Sequence, residues 1–389
     1  MNSKIILKKN EEHRILKGHY WIFSNEINKI EGTPIVGEIV SLYNSRGTFL
    51  GVGFYNPNSL ISVRLFSKEN INFDKIFLSS AIQKALHLRE KLFNGKNVYR
   101  LIHGESDGLP GLIIDRFNDN FSIQTFSAGI DQRLELIVEV IKEIFSPKTI
   151  IERNESPLRI LEGLSEKSGF LFGDASITEI DLDGIKYEID LLNGQKTGFF
   201  LDQRLNRKSI IPFCKNSNVL DCFCNEGGFS LTAATSGAKN VIAIDISKAV
   251  IDRVNKNIKL NNLSNVETKV EDVFESLKIF SVEKKKFDLI ILDPPSFTKS
   301  KKNVSTAKRG YLELNTNALK LISSGGFLAT SSCSHHIDKE TFLNIINESG
   351  IKSGKTLQLL TFSGPSPDHP ELLSMPETSY LKFAIFHVQ

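Results

Sequence analysis

The 389-residue sequence predicts an α/β fold, with a parallel sheet in its second half preceded by a small β-barrel and a central α+β region. Three observations predict it. From about residue 216, apolar runs of strand length alternate with helical patterns. The first 70 or so residues instead carry short strands parted by tight turns. The clusters of polar residues fall at the carboxyl ends of the later apolar runs, which is where parallel sheets bind ligands.

VGEIVSLYN, FLGVGFYN and ISVRLFS alternate or are β-branched, and NSRG and NPNS separate them as turns, so residues 1–70 read as a small barrel or sandwich. Phe73–Phe93 has apolar residues at helical spacing, as does Asp131–Phe145. Between them YRLIHGESDGLPGLIIDRFNDNFSIQTF is a turn-rich β segment, and ITEIDLDGIKYEIDLLNG signals a hairpin around Asp-Gly. These make residues 71–188 a central α+β domain. Residues 189–389 hold the strands NVLDCFC, NVIAIDIS, FDLIILDPPS and GGFLATSSCS, with helices expected at Gly228–Ser236, Ala249–Asn261 and Tyr311–Leu321.

Composition excludes several classes. Hydrophobic content of 40% and charge of 24% are ordinary for a soluble globular chain. There is no apolar run of about 18 residues to span a membrane. The start, MNSKIILKKNEEHR, lacks the apolar core of a secretory signal, so a cytoplasmic location is expected. Cys214, Cys222, Cys224 and Cys333 do not form a disulfide framework. A net charge of +3 is too small to argue for nucleic acid, but SFTKSKKNVSTAKRGY (296–311) holds Lys299, Lys301, Lys302, Lys308 and Arg309 without an acid. Such a segment suits phosphate contacts, or is a solvated loop.

VLDCFCNEGGFS (219–230) is a strand, a turn with Gly227 and Gly228, and a helix start. Neither G-x-G-x-x-G nor G-x-x-x-x-G-K-[ST] occurs, which excludes the usual dinucleotide and triphosphate loops. Asp245 ends the next strand, where a carboxylate can accept both hydroxyls of a ribose. Asp272 ends the one after, within reach of an adenine amine. Each aspartate alone is equally a helix cap; three such features at successive strand ends describe an adenosine site.

These residues, with LDPPSF (292–297), resemble the class I S-adenosylmethionine-dependent methyltransferases. NGQKTGFFLDQRLNR (193–207), GESDGLPGLIIDRF and LATSSCSHH (328–336) narrow the resemblance to the RlmI-type 23S rRNA cytosine-C5 methyltransferases, over nearly the whole chain. The resemblance implies an RNA-binding PUA domain, a central domain and a Rossmann-like methyltransferase domain, with S-adenosylmethionine as cofactor and 23S rRNA as partner. It places Lys196, Thr197, Phe200, Gln203, Arg204, Asp221, Cys222, Gly227, Asp245, Ile246, Asp272, Val273 and Asp293 at the cofactor pocket. No metal is expected, since C-x-C at Cys222 and Cys224 lacks a partner pair for zinc. Neither is a membrane; a homodimer is compatible.

Cys333 follows a run of small and hydroxyl residues at a strand end, and reads as core filler, metal ligand or nucleophile. Carbon 5 of cytosine is a weak nucleophile, and thiolate addition at carbon 6 concentrates charge there. A group near N3 must steady that charge. Cys333 as nucleophile and Asp293 as ring partner meet this need, as the resemblance implies. LDPPSF has Ser296 where many RNA cytosine methyltransferases carry a second cysteine, so the thiol role falls to Cys333 alone. Two other functions fit parts of the sequence: methylation of an exocyclic amine of guanine or adenine through the D-P-P motif, and RNA binding without catalysis. For RNA, the barrel offers Lys4, Lys8, Lys9, Arg14 and Lys17, with His19, Tyr20 and Trp21 nearby.

Overall fold

Asp-Gly turns, buried apolar runs and capped amphipathic helices shape the chain, which a computed structural model describes over residues 3–194, 196–298 and 303–389. It divides into two units: residues 1–180, 189–201 and 367–378 form the first, and 181–188, 202–366 and 379–389 the second. Among the described residues no helix is long and apolar enough to cross a membrane.

The first unit holds two sheets. Strands β1 (Lys4–Leu7), β2 (Trp21–Phe23), β3 (Ile27–Glu31), β4 (Ile39–Tyr43), β5 (Phe49–Tyr55) and β6 (Ile61–Ser67) pair in the order β2-β6-β5-β4-β1-β3, with the short helix α1 (His13–Leu16) between β1 and β2. The second sheet runs β11-β10-β9-β8-β7, from β7 (Val98–His103), β8 (Leu112–Phe117), β9 (Asn120–Thr125), β10 (Thr149–Asn154) and β11 (Lys167–Phe172). Helix α2 (Lys75–Phe93) starts because Asp74 accepts the Phe77 amide at 2.9 Å, and stops at left-handed Asn94. It buries Leu78, Ile82, Ala85 and Phe93. Helices α3 (Ala128–Asp131) and α4 (Leu134–Phe145) complete this layer. Phe54 and Phe66 of the first sheet meet Phe73 edge to face at 5.0 and 5.3 Å between centroids, so one apolar core runs across the expected break at residue 70.

A buried ionic lattice closes the GESDG turn. Arg89, with 0% of its surface exposed, grips both carboxylate oxygens of Asp107 at 2.6 and 2.7 Å. Arg89 also donates to the carbonyl of Asp368. Asp368 in turn accepts the Arg100 amide at 2.9 Å, while the Arg100 guanidinium holds Asp115. The aromatics expected to face RNA are used internally instead. The Trp21 indole donates to Glu105 at 2.7 Å, and the buried His19 ring accepts the Trp21 amide.

Strands β12 (Ile177–Leu182) and β13 (Ile185–Asp190) form the hairpin read from Asp-Gly; Asp183 and Gly184 both take positive φ, as its turn requires. The second unit continues through α5 (Arg204–Ser209), β14 (Asn218–Cys222), α6 (Gly228–Thr235), β15 (Asn240–Asp245), α7 (Lys248–Leu260) and β16 (Val266–Val270). It ends through α8 (Val273–Val282), β17 (Phe287–Leu292), α9 (Val304–Leu321), β18 (Ile322–Ser332), α10 (Lys339–Ser353), β19 (Leu357–Ser363) and β20 (Lys382–Val388). Its sheet runs β16-β15-β14-β17-β18-β20-β19, parallel through β18, with β20 antiparallel to both neighbours. Separate apolar clusters cover the two faces, Leu277, Leu314 and Phe342 on one and Ile210, Phe229 and Ala233 on the other. The chain reverses its direction of travel between β14 and β17, and ligands bind parallel sheets at such a switch.

Helix α9 begins seven residues earlier than the sequence suggests, which puts Lys308 and Arg309 on a helix rather than in a loop. Gly310 looks like a break but is a contact: a Cβ there would stand 3.1 Å from the Phe297 ring. Lys299, Lys301 and Lys302 lie outside the described residues.

Candidate active site

Desolvation dominates the carboxyl edge of the second unit's sheet. Asp221, on β14, is fully buried, and its Oδ2 accepts the Ser230 hydroxyl at 2.5 Å. Burial pushes its carboxyl up to about 7 despite that bond. Its Oδ1 is buried with no partner among the described residues. Beyond β14 the chain turns through Phe223 and Asn225, both at positive φ, into Gly227 at φ 80°. The strand therefore ends at Cys222, and Cys224 does not continue its face. Cys222 packs in the apolar core, and desolvation raises its thiol well above the ordinary range, as it does for Cys224. Cys222 is thus a neutral wall of the core. Gly228 opens α6 beneath Arg207, whose guanidinium a Cβ at that position would strike at 2.3 Å.

Asp245 ends β15. Its two oxygens accept the amides of Asn225 at 3.2 Å and Ser247 at 3.0 Å, which aims the carboxylate between the β14 and β15 turns and leaves lone pairs for a diol. Next to it Ile246 is 70% exposed, an apolar side chain set against water at a strand end. Asp272 is exposed and caps α8 through the Glu275 amide, while Val273 behind it is buried. A carboxylate for a ribose, an apolar shelf, a second carboxylate and an orphaned buried oxygen fit an adenosine bearing a charged amino-acid tail.

Asp293 follows β17. The Gln203 amide donates to its Oδ1 at 2.9 Å, and the Ser331 hydroxyl donates to the same atom. Gln203 is held by Asn206, whose amide reaches its Oε1 at 2.6 Å. Both bonds fall on Oδ1, so Oδ2 is left to face a ligand. Burial raises this carboxyl too, against the lowering effect of the Ser331 bond. One residue past β18, Cys333 is partly exposed, with its sulfur 4.0 Å from the Pro294 carbonyl oxygen. It is the one cysteine of the four that is not buried. Hydroxyls fix the two loops to each other: Ser334 meets Ser296 at 2.9 Å and Tyr311 at 3.0 Å, and Ser332 donates to Tyr311 at 3.0 Å. Phe297 packs on the Tyr311 ring at 4.6 Å.

Asp221, Asp245, Asp272, Asp293 and Cys333 thus come together along one edge of one unit, with Gln203. The other residues of KTGFFLDQR are distributed differently. Lys196, Thr197 and Phe200 belong to the first unit, where the Lys196 ammonium lies 4.3 Å from the Phe200 ring centroid and Thr197 donates to Asp115. Arg204 is 3% exposed and both oxygens of Asp183 hold its guanidinium at 2.8 Å, so it clamps the hairpin tip. Sequence reasoning missed Ser331, Tyr311, Asn206 and Arg207. Ser331 had a visible signal, the alternation of SSCS at a strand end; the others depend on tertiary packing. Among the described residues no group of three or more His, Cys, Asp or Glu side chains is placed to hold a metal.

Comparison with known proteins supplies the family of the chain. Residues 5–68 match the family model of a PUA-like domain, and residues 167–369 that of an S-adenosylmethionine-dependent methyltransferase. Ribosomal RNA large subunit methyltransferase I of Vibrio vulnificus (strain CMCP6) is 37% identical, and that of Aliivibrio fischeri (strain ATCC 700601 / ES114) 38%, each alignment covering 98% of both chains. A putative SAM-dependent methyltransferase from Streptococcus mutans has the same fold, with a TM-score of 0.84 at 22% identity over 99% of both chains. A further putative methyltransferase, solved in complex with SAH, superimposes with a TM-score of 0.86 at 22% identity over 99% of both chains. Fold and site define an S-adenosylmethionine-dependent methyltransferase carrying a PUA-like domain at its amino end. Within that class, the chain belongs to the ribosomal RNA large subunit methyltransferase I family.

Proposed function

We propose that this enzyme methylates carbon 5 of a cytosine in large-subunit (23S) rRNA, with Cys333 as nucleophile and Asp293 as the partner of the ring. The relatives' name supports rRNA as the substrate, and one observation carries the finer reading: the partly exposed thiol of Cys333 stands beside the D-P-P turn, 4.0 Å from the Pro294 carbonyl, while the other three cysteines are buried. An amine methylator needs no such thiol.

Bound S-adenosylmethionine supplies an electrophilic methyl group on a sulfonium. Asp245 would receive its ribose hydroxyls, Ile246 the face of its adenine and Asp272 the adenine amine. Gly227 gives the turn above them its left-handed conformation. Cys333 as thiolate bonds to carbon 6 of the base, and the ring's electron pair moves toward carbon 5 and N3. Asp293, its carboxyl raised by burial, is predisposed to carry a proton and give a hydrogen bond to N3. Gln203 and Ser331 keep that carboxyl from rotating. After methyl transfer, loss of the carbon-5 proton and departure of the thiolate restore the aromatic ring. The base must leave its stack to enter such a site, so single-stranded or loosened RNA is the expected substrate. The first unit and the lysines of 299–302 are proposed to hold the flanking strand.

Replacing Cys333 with serine tests this. The variant should bind S-adenosylmethionine with unchanged affinity by calorimetry, yet lose at least a thousandfold in methyl transfer, and 5-methylcytosine should vanish from rRNA of cells carrying it. A variant that keeps most of its activity, with the label on an exocyclic amine, overturns the reading.

A further inference from the structure

Beneath the Cys333 turn lies a charge that the chemistry above leaves without a role. Lys382, the first residue of β20, is buried at 6% exposure. Its ammonium donates to the carbonyl oxygens of Ser334 and Tyr380, both at 2.7 Å. Removing an ammonium from water is costly, and a lysine in such a place needs a reason. These carbonyl oxygens orient it and carry no full charge of their own. The Ser334 carbonyl belongs to the residue that directly follows Cys333, and Ser332 and Ser334 on either side are pinned by Tyr311. The ammonium is therefore tied to the backbone of the residue that follows a thiol that must ionise.

We propose that Lys382 is the positioning residue that activates Cys333: its buried positive charge stabilises the thiolate, and its bond to Ser334 holds the turn that aims the sulfur. The inference rests on the nucleophile reading above and goes beyond it, since that reading is silent on how the thiol ionises. Among the described residues, the other charged or titratable groups around this turn include Asp293 beyond β17, Lys308 and Tyr311 on α9, His335, His336 and Asp338 within the 333–338 turn, Tyr380 before β20, and Asp202, which accepts the Tyr380 hydroxyl at 2.7 Å. Asp293 disfavours the thiolate when ionised. Lys308 and Lys382 add to the lowering of the Asp338 carboxyl, whose main cause is its bond to the Thr341 amide, so the field of Lys382 does reach this turn. His335 lies tilted against Tyr380, 5.8 Å between centroids.

The sign is direct. A positive neighbour favours the thiolate and lowers the pH at which the thiol ionises; an opposite charge within about 4–6 Å typically lowers it by one unit or more, from about 8.5 for a free cysteine. The test is the pH dependence of Cys333 alkylation by iodoacetamide in the intact protein, with Cys333→Ser as the blank. The wild-type midpoint should fall below 7.5. Lys382→Gln, which keeps an N–H donor for the carbonyls, should raise the midpoint by about one pH unit, and Lys382→Arg should restore most of the difference. At pH 7 the glutamine variant should alkylate about tenfold more slowly, and at pH 10 at the wild-type rate. A purely structural lysine would slow alkylation at every pH and leave the midpoint in place, which overturns the proposal. So does a wild-type midpoint at or above 8.5, a result that needs no variant to fold. None of these results depends on methyl transfer, so failure here leaves the carbon-5 reading to stand or fall with Cys333→Ser.

Discussion

Asp221 shows how much this edge relies on groups held away from water. Its carboxyl rises from 3.8 to about 7 because burial outweighs the Ser230 bond. A raised acid binds its proton more tightly in the folded state, so the stability it contributes is complete below pH 4 and is lost as pH climbs toward 7. Asp221→Asn should therefore flatten the decline of Tm between pH 4 and 7, measured by calorimetry; Asp293, raised in the same direction, accounts for the slope that remains. A variant with the wild-type slope would mean that Asp221 is ionised throughout. The sequence made this residue visible as part of VLDCFC, and Cys333 as the end of LATSSC, because strand ends advertise polar residues after apolar runs. It hid Lys382. A single lysine in YLKFAIF resembles any edge-strand charge, and only the paired carbonyls beneath it reveal burial.

Helices and strands were legible where both faces are covered. NVIAID and FDLIIL read as strands because a parallel sheet buried on both sides needs continuous apolar runs. The short β1, β2 and β3 escaped, since β3 is mostly exposed and has no alternation to find. Helix α9 started late in the sequence reading because Gly310 counts against a helix, and its real use, making room for Phe297, is a long-range contact. That helix presents Tyr311 to both the β18 turn and the D-P-P loop. Tyr311→Phe removes the hydroxyl that Ser332 and Ser334 share, at a cost of about 2 kcal/mol for buried polar groups left unpaired. The expected result is a lower Tm, unchanged S-adenosylmethionine affinity, and a fall in methyl-transfer rate as the cysteine turn loses its register. A variant with wild-type rate would show that the hydroxyl network supports the fold alone.

At the scale of the whole molecule, the chain forms two compact units, and the first of them spans residue 70. The PUA-like match and the central region share aromatic packing among Phe54, Phe66, Phe73 and Phe77, which no change in composition announces. Partner binding also belongs to this scale. Replacing Lys299, Lys301 and Lys302 together with alanine should weaken RNA binding and reduce the slope of log affinity against log salt by about 2, the value for three phosphate contacts on a single strand. An unchanged slope would remove these lysines from the RNA path. The ionic lattice of the first unit has a different reach. Arg89 and Arg100 both lean on Asp368, which the ribosome adds more than 260 residues later. Until that residue has left the exit tunnel, one N–H of the buried Arg89 guanidinium and the backbone amide of Arg100 lack the acceptors they have in the finished unit. Completion of this unit is thus tied to a residue made long after its core, and a chain cut short before Asp368 would leave the earlier-made part of the unit unfinished.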